Sequence, residues 1–288
     1  MPRACASLLA VLLLTIPALA TVRAQFDTQA WLVPTEPLRI AGPVHYVGTR
    51  ELAAYLIATP AGHILIDGAL PASAGDLERS IVALGFRLED VKVLLTTQAH
   101  FDHVGTLAQL KARTRGRLLV MDGDQTLLAS GGATDYLFAT TPGAHFPPVT
   151  ADEVIHDGHR VTLGGVSLQA HLTPGHTPGT TTWTTTIADH GKAYRVVFTG
   201  STGVNSGTRF VKDPSYPGIL QDYRKAFRVL ESLQPDIFLA AHSGQFDLAG
   251  KRARAATEGA TAFVDPDGYR RALATSKATF ERLVDAER

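Results

Sequence analysis

Two patterns of apolar residues, one typical of strands and one typical of helices, occur in each half of the chain. Short apolar runs rich in branched residues predict β-strands, and the run at 91–95 is typical of a strand buried on both faces. Apolar residues at helical spacing predict helices, as where Leu77, Ile81 and Leu84 precede Gly85. The predicted strands are 44–49, 52–59, 63–67, 91–95, 117–121, 161–163, 166–171, 180–187, 195–199 and 237–240; the predicted helices are 74–84, 107–112, 223–233 and 269–286.

Strands and helices are mixed in both halves, which favours an α/β protein with sheets covered by helices. No short repeat, low-complexity tract or linker interrupts residues 30–288, so we expect one domain.

The N-terminus has the pattern of an export signal. Arg3 precedes a mostly apolar run at 6–20, which is shorter than the ~20 residues of a membrane span. Small-residue cleavage patterns end at Ala20 and Ala24. The alternatives are an uncleaved anchor or a lipoprotein, but no cysteine follows the run as a lipoprotein requires. We therefore expect a signal peptide at 1–24, cleaved after Ala20 or Ala24, and a periplasmic domain at 25–288 with no stable membrane association.

Charge and cysteine content narrow the chemistry. The chain carries 27 basic and 27 acidic residues, and it has no stripe of basic residues that would indicate nucleic-acid binding. Because Arg3 and Arg23 fall in the signal, 27 − 2 = 25 basic residues remain against 27 acidic ones. The only cysteine, Cys5, lies in the signal as well, so a metal site in the exported protein must use histidine, carboxylate or amide ligands. We expect a monomer with a small-molecule substrate.

Four potential metal ligands fall within six residues directly after the buried strand 91–95. They are Gln98, His100, Asp102 and His103, at a strand's C-terminal end, where α/β active sites usually lie. Burying such a cluster without a purpose is costly. In an extended chain, the first three would share one face and His103 would lie on the other, which suits two neighbouring metal ions.

Two further histidines stand in suggestive places. His176 lies between Pro174-Gly175 and Pro178-Gly179, which restrict the turn, and His242 follows the strand 237–240. The remaining histidines are isolated in the sequence, and we expect them to be surface or core residues: His45, His63, His145, His156, His159, His171 and His190.

The order Gln98-x-His100-x-Asp102-His103, then His176, then His242 resembles the metallo-β-lactamase superfamily, whose usual motif is His-x-His-x-Asp-His followed by two more histidines. The resemblance implies an αββα sandwich, two sheets flanked by helices, with the site along one edge. It also implies one or two Zn²⁺ ions per chain. Asp67 matches the family's strand-end aspartate, which supports the site. The first zinc site would comprise Gln98, His100 and His176, and the second Asp102, His103 and His242.

Ser201 stands where dinuclear relatives usually have a bridging aspartate, and in this it resembles the third subclass of the class B β-lactamases. Gln98 replaces the usual histidine, as in a known variant of that subclass. Gly203 stands where many members have a serine that binds the substrate carboxylate. The candidates to replace that serine are Thr202, Asn205 and Ser206; the other stretches that resemble the subclass are 130–136, 156–158, 163–165, 213–217 and 222–224.

The resemblance implies zinc-dependent hydrolysis of the β-lactam amide bond by a metal-bound hydroxide, which confers antibiotic resistance. Zinc lowers the pKa of bound water from ~15.7 to about 7. Asp102 would orient the nucleophile while ligating, and Ser201 would hydrogen-bond a metal-bound water. Neither Ser-x-x-Lys nor Gly-x-Ser-x-Gly occurs, which argues against a serine mechanism. The alternatives are a lactonase or thioester hydrolase of the same fold, and a non-catalytic periplasmic zinc-binding protein.

Overall fold

Twelve strands and eight α-helices form the part of the chain that the computed structural model describes, residues 28–288. The predicted signal segment and its cleavage sites lie outside these residues. The strands are β1 (Leu38–Ala41), β2 (Val44–Tyr46), β3 (Tyr55–Thr59), β4 (Gly62–Ile66), β5 (Val91–Leu95), β6 (Arg117–Met121), β7 (Glu153–Ile155), β8 (Arg160–Leu163), β9 (Val166–Leu172), β10 (Thr181–Asp189), β11 (Lys192–Thr199) and β12 (Ile237–Ala240). The helices are α1 (Thr28–Trp31), α2 (Ala74–Ala83), α3 (Phe101–Val104), α4 (Leu107–Thr114), α5 (Gln125–Ala129), α6 (Ile219–Ser232), α7 (Leu248–Glu258) and α8 (Pro266–Ala286).

The strands form two mixed sheets. The first has the order β1-β2-β3-β4-β5-β6-β7, antiparallel from β1 to β4 and parallel from β4 to β7. The second has the order β12-β11-β10-β9-β8 and is antiparallel except for the parallel pair β11 and β12. Among residues 28–288, no helix is long and apolar enough to cross a membrane.

The two sheets face each other across an apolar core, and helices cover their outer faces. Tyr55 on β3 meets Phe198 on β11 edge to face, with ring centroids 5.1 Å apart. Leu77 on α2 and Leu110 on α4 are buried in a separate cluster with residues of the first sheet. Outside the second sheet, Phe280 of α8 packs against Tyr223 and Phe227 of α6. This arrangement confirms the predicted αββα sandwich.

The strands β5, β6 and β12 have the predicted bounds, because each is an apolar, buried run interrupted at most by one exposed basic residue, Lys92 in β5 and Arg117 in β6. Sequence patterns missed β1 and β7, which are short edge strands, and α7, whose sequence has few large apolar residues. Edge strands and small-residue helices carry weak periodic signals, because little of their surface is buried against the core.

Strand ends from both sheets meet at one edge of the sandwich. The backbone N–H of Thr181, at the start of β10, donates to the carbonyl of Thr97 after β5 (2.7 Å). Trp183 Nε1 donates to the neighbouring carbonyl of Thr96 (3.0 Å), and the Tyr55 hydroxyl donates to the carbonyl of Ala240 at the end of β12 (2.6 Å). These bonds fix the relative position of the two sheets where the candidate ligands lie.

Two buried histidines make the stability of the fold depend on pH. His45 and His63 lie edge-on to the ring of Phe86, and burial lowers the pKa of both. Arg39 lowers the pKa of His45 further, and the Asp90 carboxylate opposes the lowering at His63. The unfolded chain therefore binds more protons than the folded chain once the pH falls below about 6.5.

We expect the contribution of this pair to stability to be complete above about pH 6.5 and to be lost as the pH falls towards the lower pKa values of the folded protein. Urea unfolding at pH 7.5 and pH 5.5 measures the loss. The double variant His45→Gln/His63→Gln should lose less stability between these two pH values than the parent. An equal loss in both proteins would show that the pair does not titrate on unfolding.

Candidate metal centre

The loop that carries the predicted ligands is anchored at the end of β4. Asp67 is fully buried directly after this strand. Its Oδ1 accepts the backbone N–H of Thr97 (2.7 Å), and its Oδ2 accepts the Thr97 hydroxyl (2.6 Å). Asp67 adopts a left-handed conformation with φ of 63°, which is uncommon for a residue with a side chain. The geometry agrees with the supporting role expected for Asp67.

The shared face considered for Gln98, His100 and Asp102 required an extended chain, and this condition does not hold beyond His100: the backbone of His100 is extended, but the helical turn α3 begins at Phe101. The backbone N–H groups of His103 and Val104 both donate to the carbonyl of His100 (2.9 and 3.0 Å). The side chain of His100, directly before the helix, projects in a different direction from those of Asp102 and His103, which lie within its first turn. His100 consequently faces one centre, while Asp102 and His103 face another.

Asp102, His103 and His242 form a group that could hold a metal ion, with one ligand atom from each within 4.8 Å of the others. Asp102 Oδ2 lies 3.2 Å from His103 Nε2 and 3.4 Å from His242 Nε2. His103 is fully buried, and neither of its ring nitrogens makes a hydrogen bond of good geometry with any residue in 28–288. Such unsatisfied polar atoms are costly. Nδ1 of His103 faces Asp67 (3.6 Å to Oδ2), whereas Nε2 of His103 and Nε2 of His242 both face Asp102 Oδ2, and this second arrangement fits a divalent cation.

The electrostatics of this group favour a positive charge at its centre. Burial raises the pKa of the Asp102 carboxyl, but His103 and His242 outweigh burial and hold that pKa well below its usual range. Burial lowers the pKa of His103, but the carboxylates of Asp102 and Asp67 outweigh it and raise the pKa to about 10. Asp102 is therefore anionic and stabilises cationic charge beside it.

His242 is held in place through the backbone on both sides. The carbonyl of Ala241 accepts the N–H of Ala53 (3.0 Å), and the N–H of Ser243 donates to the carbonyl of Glu51 (2.9 Å). These bonds connect the end of β12 in the second sheet to the turn before β3 in the first. The ring of His242 consequently meets that of His103 edge to face, with centroids 5.0 Å apart.

A second pair of histidines lies beside this group. His100 Nδ1 and His176 Nε2 are 3.1 Å apart. The other nitrogen of His176, Nδ1, donates to the carbonyl of Gly203 (2.8 Å), so Nε2 presents a lone pair to His100. Burial, aided by His100, lowers the pKa of His176 to about 3 and keeps its ring neutral. Two imidazoles on a tetrahedral zinc ion, with bonds of about 2.0–2.1 Å, have nitrogens roughly 3.3–3.4 Å apart. The pair therefore fits a metal ion.

Gln98 is buried and linked to Ser201. Its Oε1 accepts the backbone N–H of Ser201 (2.9 Å). The Ser201 hydroxyl oxygen in turn accepts the N–H of Gly203 (3.0 Å), whose carbonyl holds His176. An amide oxygen has two lone pairs, so one remains after the bond to Ser201. The structure thus places Gln98, Ser201 and His176 in one connected set.

Comparison with known proteins agrees with this geometry. The family model described as the metallo-beta-lactamase superfamily matches residues 48–242, from the strands before the ligand loop to the last candidate ligand. The chain belongs to the metallo-β-lactamase superfamily.

Solved metallo-β-lactamases match nearly their whole length. The FEZ-1 metallo-β-lactamase from Legionella gormanii is 44% identical, covers 88% of this chain and 97% of its own, and superposes with a TM-score of 0.86. The class B3 di-zinc enzyme LRA-12 from an Alaskan soil metagenome is 36% identical, with coverages of 90% and 98% and a TM-score of 0.86. The subclass B3 enzyme BJP-1 of Bradyrhizobium japonicum is 33% identical. It covers 91% of this chain and 98% of its own, with a TM-score of 0.85.

Curated sequence relatives match a smaller part of this metallo-β-lactamase-fold chain. A probable metallo-hydrolase of Burkholderia pseudomallei is 32% identical over 133 residues, which is 46% of this chain and 43% of the relative. A second probable metallo-hydrolase, from Bacillus subtilis, is 26% identical over 110 residues, which is 51% of its length. The match thus spans about half the length of these relatives.

Sequence reasoning missed two carboxylates that support the metallo-β-lactamase site. Asp124 follows β6 and ties the ligand loop to the turn of His176: Oδ2 accepts the N–H of Ala99 (2.9 Å) and the Thr177 hydroxyl (2.8 Å), and Oδ1 accepts the N–H of Gly179 (2.8 Å). The other, Asp135, contacts His100. Asp124 follows the end of β6 as Asp67 follows the end of β4, and this position in the sequence could have indicated its supporting role.

Replacing Asp124 by alanine should lower the free energy of unfolding by at least about 2 kcal/mol, because three buried donors lose their acceptor and each unsatisfied group costs ~1–3 kcal/mol. Urea unfolding of the metal-free protein measures this loss. The matched control is Asp122→Ala, two residues away, whose side chain is 56% exposed. We expect it to change stability by less than about 0.5 kcal/mol. Equal effects of the two substitutions would contradict the bridging role of Asp124.

Proposed function

We propose that this protein is a zinc-dependent hydrolase that opens the amide bond of β-lactams. The observation that carries the proposal is the pair of donor groups at one edge of the sandwich, one made by His100 and His176 and the other by Asp102, His103 and His242. Support comes from solved relatives named metallo-β-lactamases, which this chain matches over almost their full length.

The donor types support zinc at both positions. Histidine nitrogen and carboxylate oxygen are regular zinc ligands, and three protein ligands with an open position form the usual catalytic arrangement. We assign the first site to Gln98, His100 and His176. We assign the second site to Asp102, His103 and His242.

When bound, zinc supplies a water of lowered pKa and polarises the substrate carbonyl. The protein must orient that water and manage its proton. Asp102 is anionic, and its Oδ2 faces the two histidines, so we assign to its Oδ1 the hydrogen bond that orients the attacking water. With zinc bound, the water oxygen would bond to the carbonyl carbon, the C–N bond would break, and Asp102 would pass the proton released by the water to the amide nitrogen.

Ser201 hydrogen-bonds a metal-bound water in this proposal. Its hydroxyl oxygen accepts the N–H of Gly203, so the hydroxyl proton is available as a donor. The substrate carboxylate would be bound by Thr202, Asn205 or Ser206, since Gly203 has no side chain and a Cβ there would lie 3.2 Å from Ser201 Oγ.

Export is the remaining part of the proposed function. The sequence at 1–24 has the pattern of a signal peptide, and a periplasmic monomer would meet β-lactams before they reach the cell-wall enzymes. Resistance of the host to β-lactams would follow from turnover in that compartment.

The decisive assay is hydrolysis of nitrocefin and of a carbapenem by zinc-loaded and by exhaustively chelated protein. We expect turnover only with zinc, and its recovery when zinc is returned. Asp102→Ala should abolish turnover in a folded protein, while Asp122→Ala should leave it at the parental rate.

The rival hydrolases and the binding protein predict other results in the same assay. Turnover of lactones or thioesters with no β-lactam turnover would replace the proposed substrate. Zinc binding without turnover of any of these substrates would favour a non-catalytic role. Full activity after chelation would contradict the metal mechanism.

The two sites should bind zinc with different affinities. A neutral carboxamide is a weaker zinc donor than imidazole, and the first site has no carboxylate, so we expect the second site to fill first. In a zinc titration of metal-free protein, first-site affinity should rank Gln98→His above the parent, and the parent above Gln98→Ala. Each step should be at least roughly tenfold, since even an outer-shell partner is worth 10–100-fold. Equal, tight binding at both parental sites would contradict this ranking.

A further inference from the structure

A short segment after α5 contacts both histidines of the first donor pair. This segment, Asp135 to Phe138, is called the clamp segment below. Asp135 Oδ2 lies 3.1 Å from His100 Nε2, and the Phe138 ring meets the His100 ring edge to face at 5.5 Å. The Tyr136 hydroxyl donates to the backbone carbonyl of His176 (3.2 Å). Three of its four side chains thus contact the two histidines.

Asp135 is itself rigidly held. Its Oδ1 accepts the backbone N–H groups of Leu137 and Phe138, both at 2.7 Å, and the residue is buried. With two amide donors on Oδ1, the carboxylate is held in one orientation and directs Oδ2 at His100. A carboxylate oxygen is therefore fixed beside one nitrogen of His100.

The position of this oxygen decides which nitrogen of His100 carries the proton. A carboxylate can only accept a hydrogen bond, so Nε2 of His100 must be the donor. A neutral imidazole with its proton on Nε2 presents a lone pair at Nδ1, the nitrogen that faces His176. Histidine ligands commonly donate their second N–H to a carboxylate, which fixes the ring and makes it a better ligand.

We propose that the clamp segment positions His100 and His176 for metal binding, with Asp135 setting the tautomer of His100, and that it offsets the weak donor Gln98 at the first site. Asp135 is a positioning residue that acts through His100. The inference rests on the proposed function in so far as it takes these histidines to be metal ligands. It names a carboxylate that lies 35 residues from its histidine and carries no ligand motif.

Asp135→Asn separates the effect on His100 from any effect on folding. The amide oxygen can keep both bonds to the backbone of Leu137 and Phe138, so the turn is retained. The amide NH₂ then faces His100 Nε2, and two donors oppose each other. The ring relieves this conflict by moving its proton to Nδ1, where it blocks the metal.

We expect Asp135→Asn to lower zinc affinity at the first site by roughly 10–100-fold and to leave second-site affinity and the melting temperature of the metal-free protein unchanged. Zinc titration against a competing chelator and thermal unfolding measure these quantities. Asp152→Asn is the matched control: Asp152 also accepts a backbone N–H, from Leu118 (2.8 Å), and pairs with Lys111 away from the site. It should leave both zinc affinities at parental values.

Nitrogen-15 NMR of the imidazole rings in the metal-free parent at pH 8 reads the tautomer directly and does not depend on how the variant folds. We expect Nε2 of His100 to carry a proton, whether or not Nδ1 also donates to His176 in the absence of metal. An Nε2 without a proton, or parental first-site affinity in folded Asp135→Asn, overturns the inference. Because neither readout uses a β-lactam, lack of β-lactam turnover in the parent would count against the proposed function alone.

Discussion

The geometry of the candidate metal centre depends on the backbone of Thr97, which is held between the two sheets. Its N–H and hydroxyl donate to Asp67 at the end of β4, and its carbonyl accepts the N–H of Thr181 at the start of β10. All three residues are buried, so these bonds have no competition from water. His100 follows Thr97 on the first sheet and His176 precedes Thr181 on the second. A shift at this joint would separate the two histidines.

The two donor groups at this joint are charged differently, and the protein supports them differently. Asp102 supplies negative charge within the second group, where it raises the pKa of His103. The first group has no carboxylate of its own, since Gln98 is neutral. There the negative charge is on Asp135, which contacts His100 on the ring nitrogen that faces away from His176. A negative charge near the cation is thus supplied by a ligand, Asp102, in the second group, and by a residue that contacts a ligand, Asp135, in the first.

The sequence predicted the layers and the order of candidate ligands, because strands such as β5 and β12 are nearly continuous apolar runs and the ligand residues have a distinctive spacing. It did not predict the helical turn at Phe101, whose first bonds depend on how the loop enters from β5. Nor did it predict the role of Asp124, whose partners are two backbone N–H groups and the Thr177 hydroxyl, up to 55 residues away along the chain. The ligand assignments and the export signal stay predictions.

Crystallography of the zinc-saturated protein, with anomalous scattering recorded at the zinc edge, tests the central claim of paired metal sites most directly. The account predicts two peaks about 3.5–4 Å apart, the spacing of two-metal hydrolases. One peak should contact His100 and His176, and the other Asp102, His103 and His242. Zinc bound only at other residues of the chain, or no zinc peak in contact with these side chains, would contradict the account.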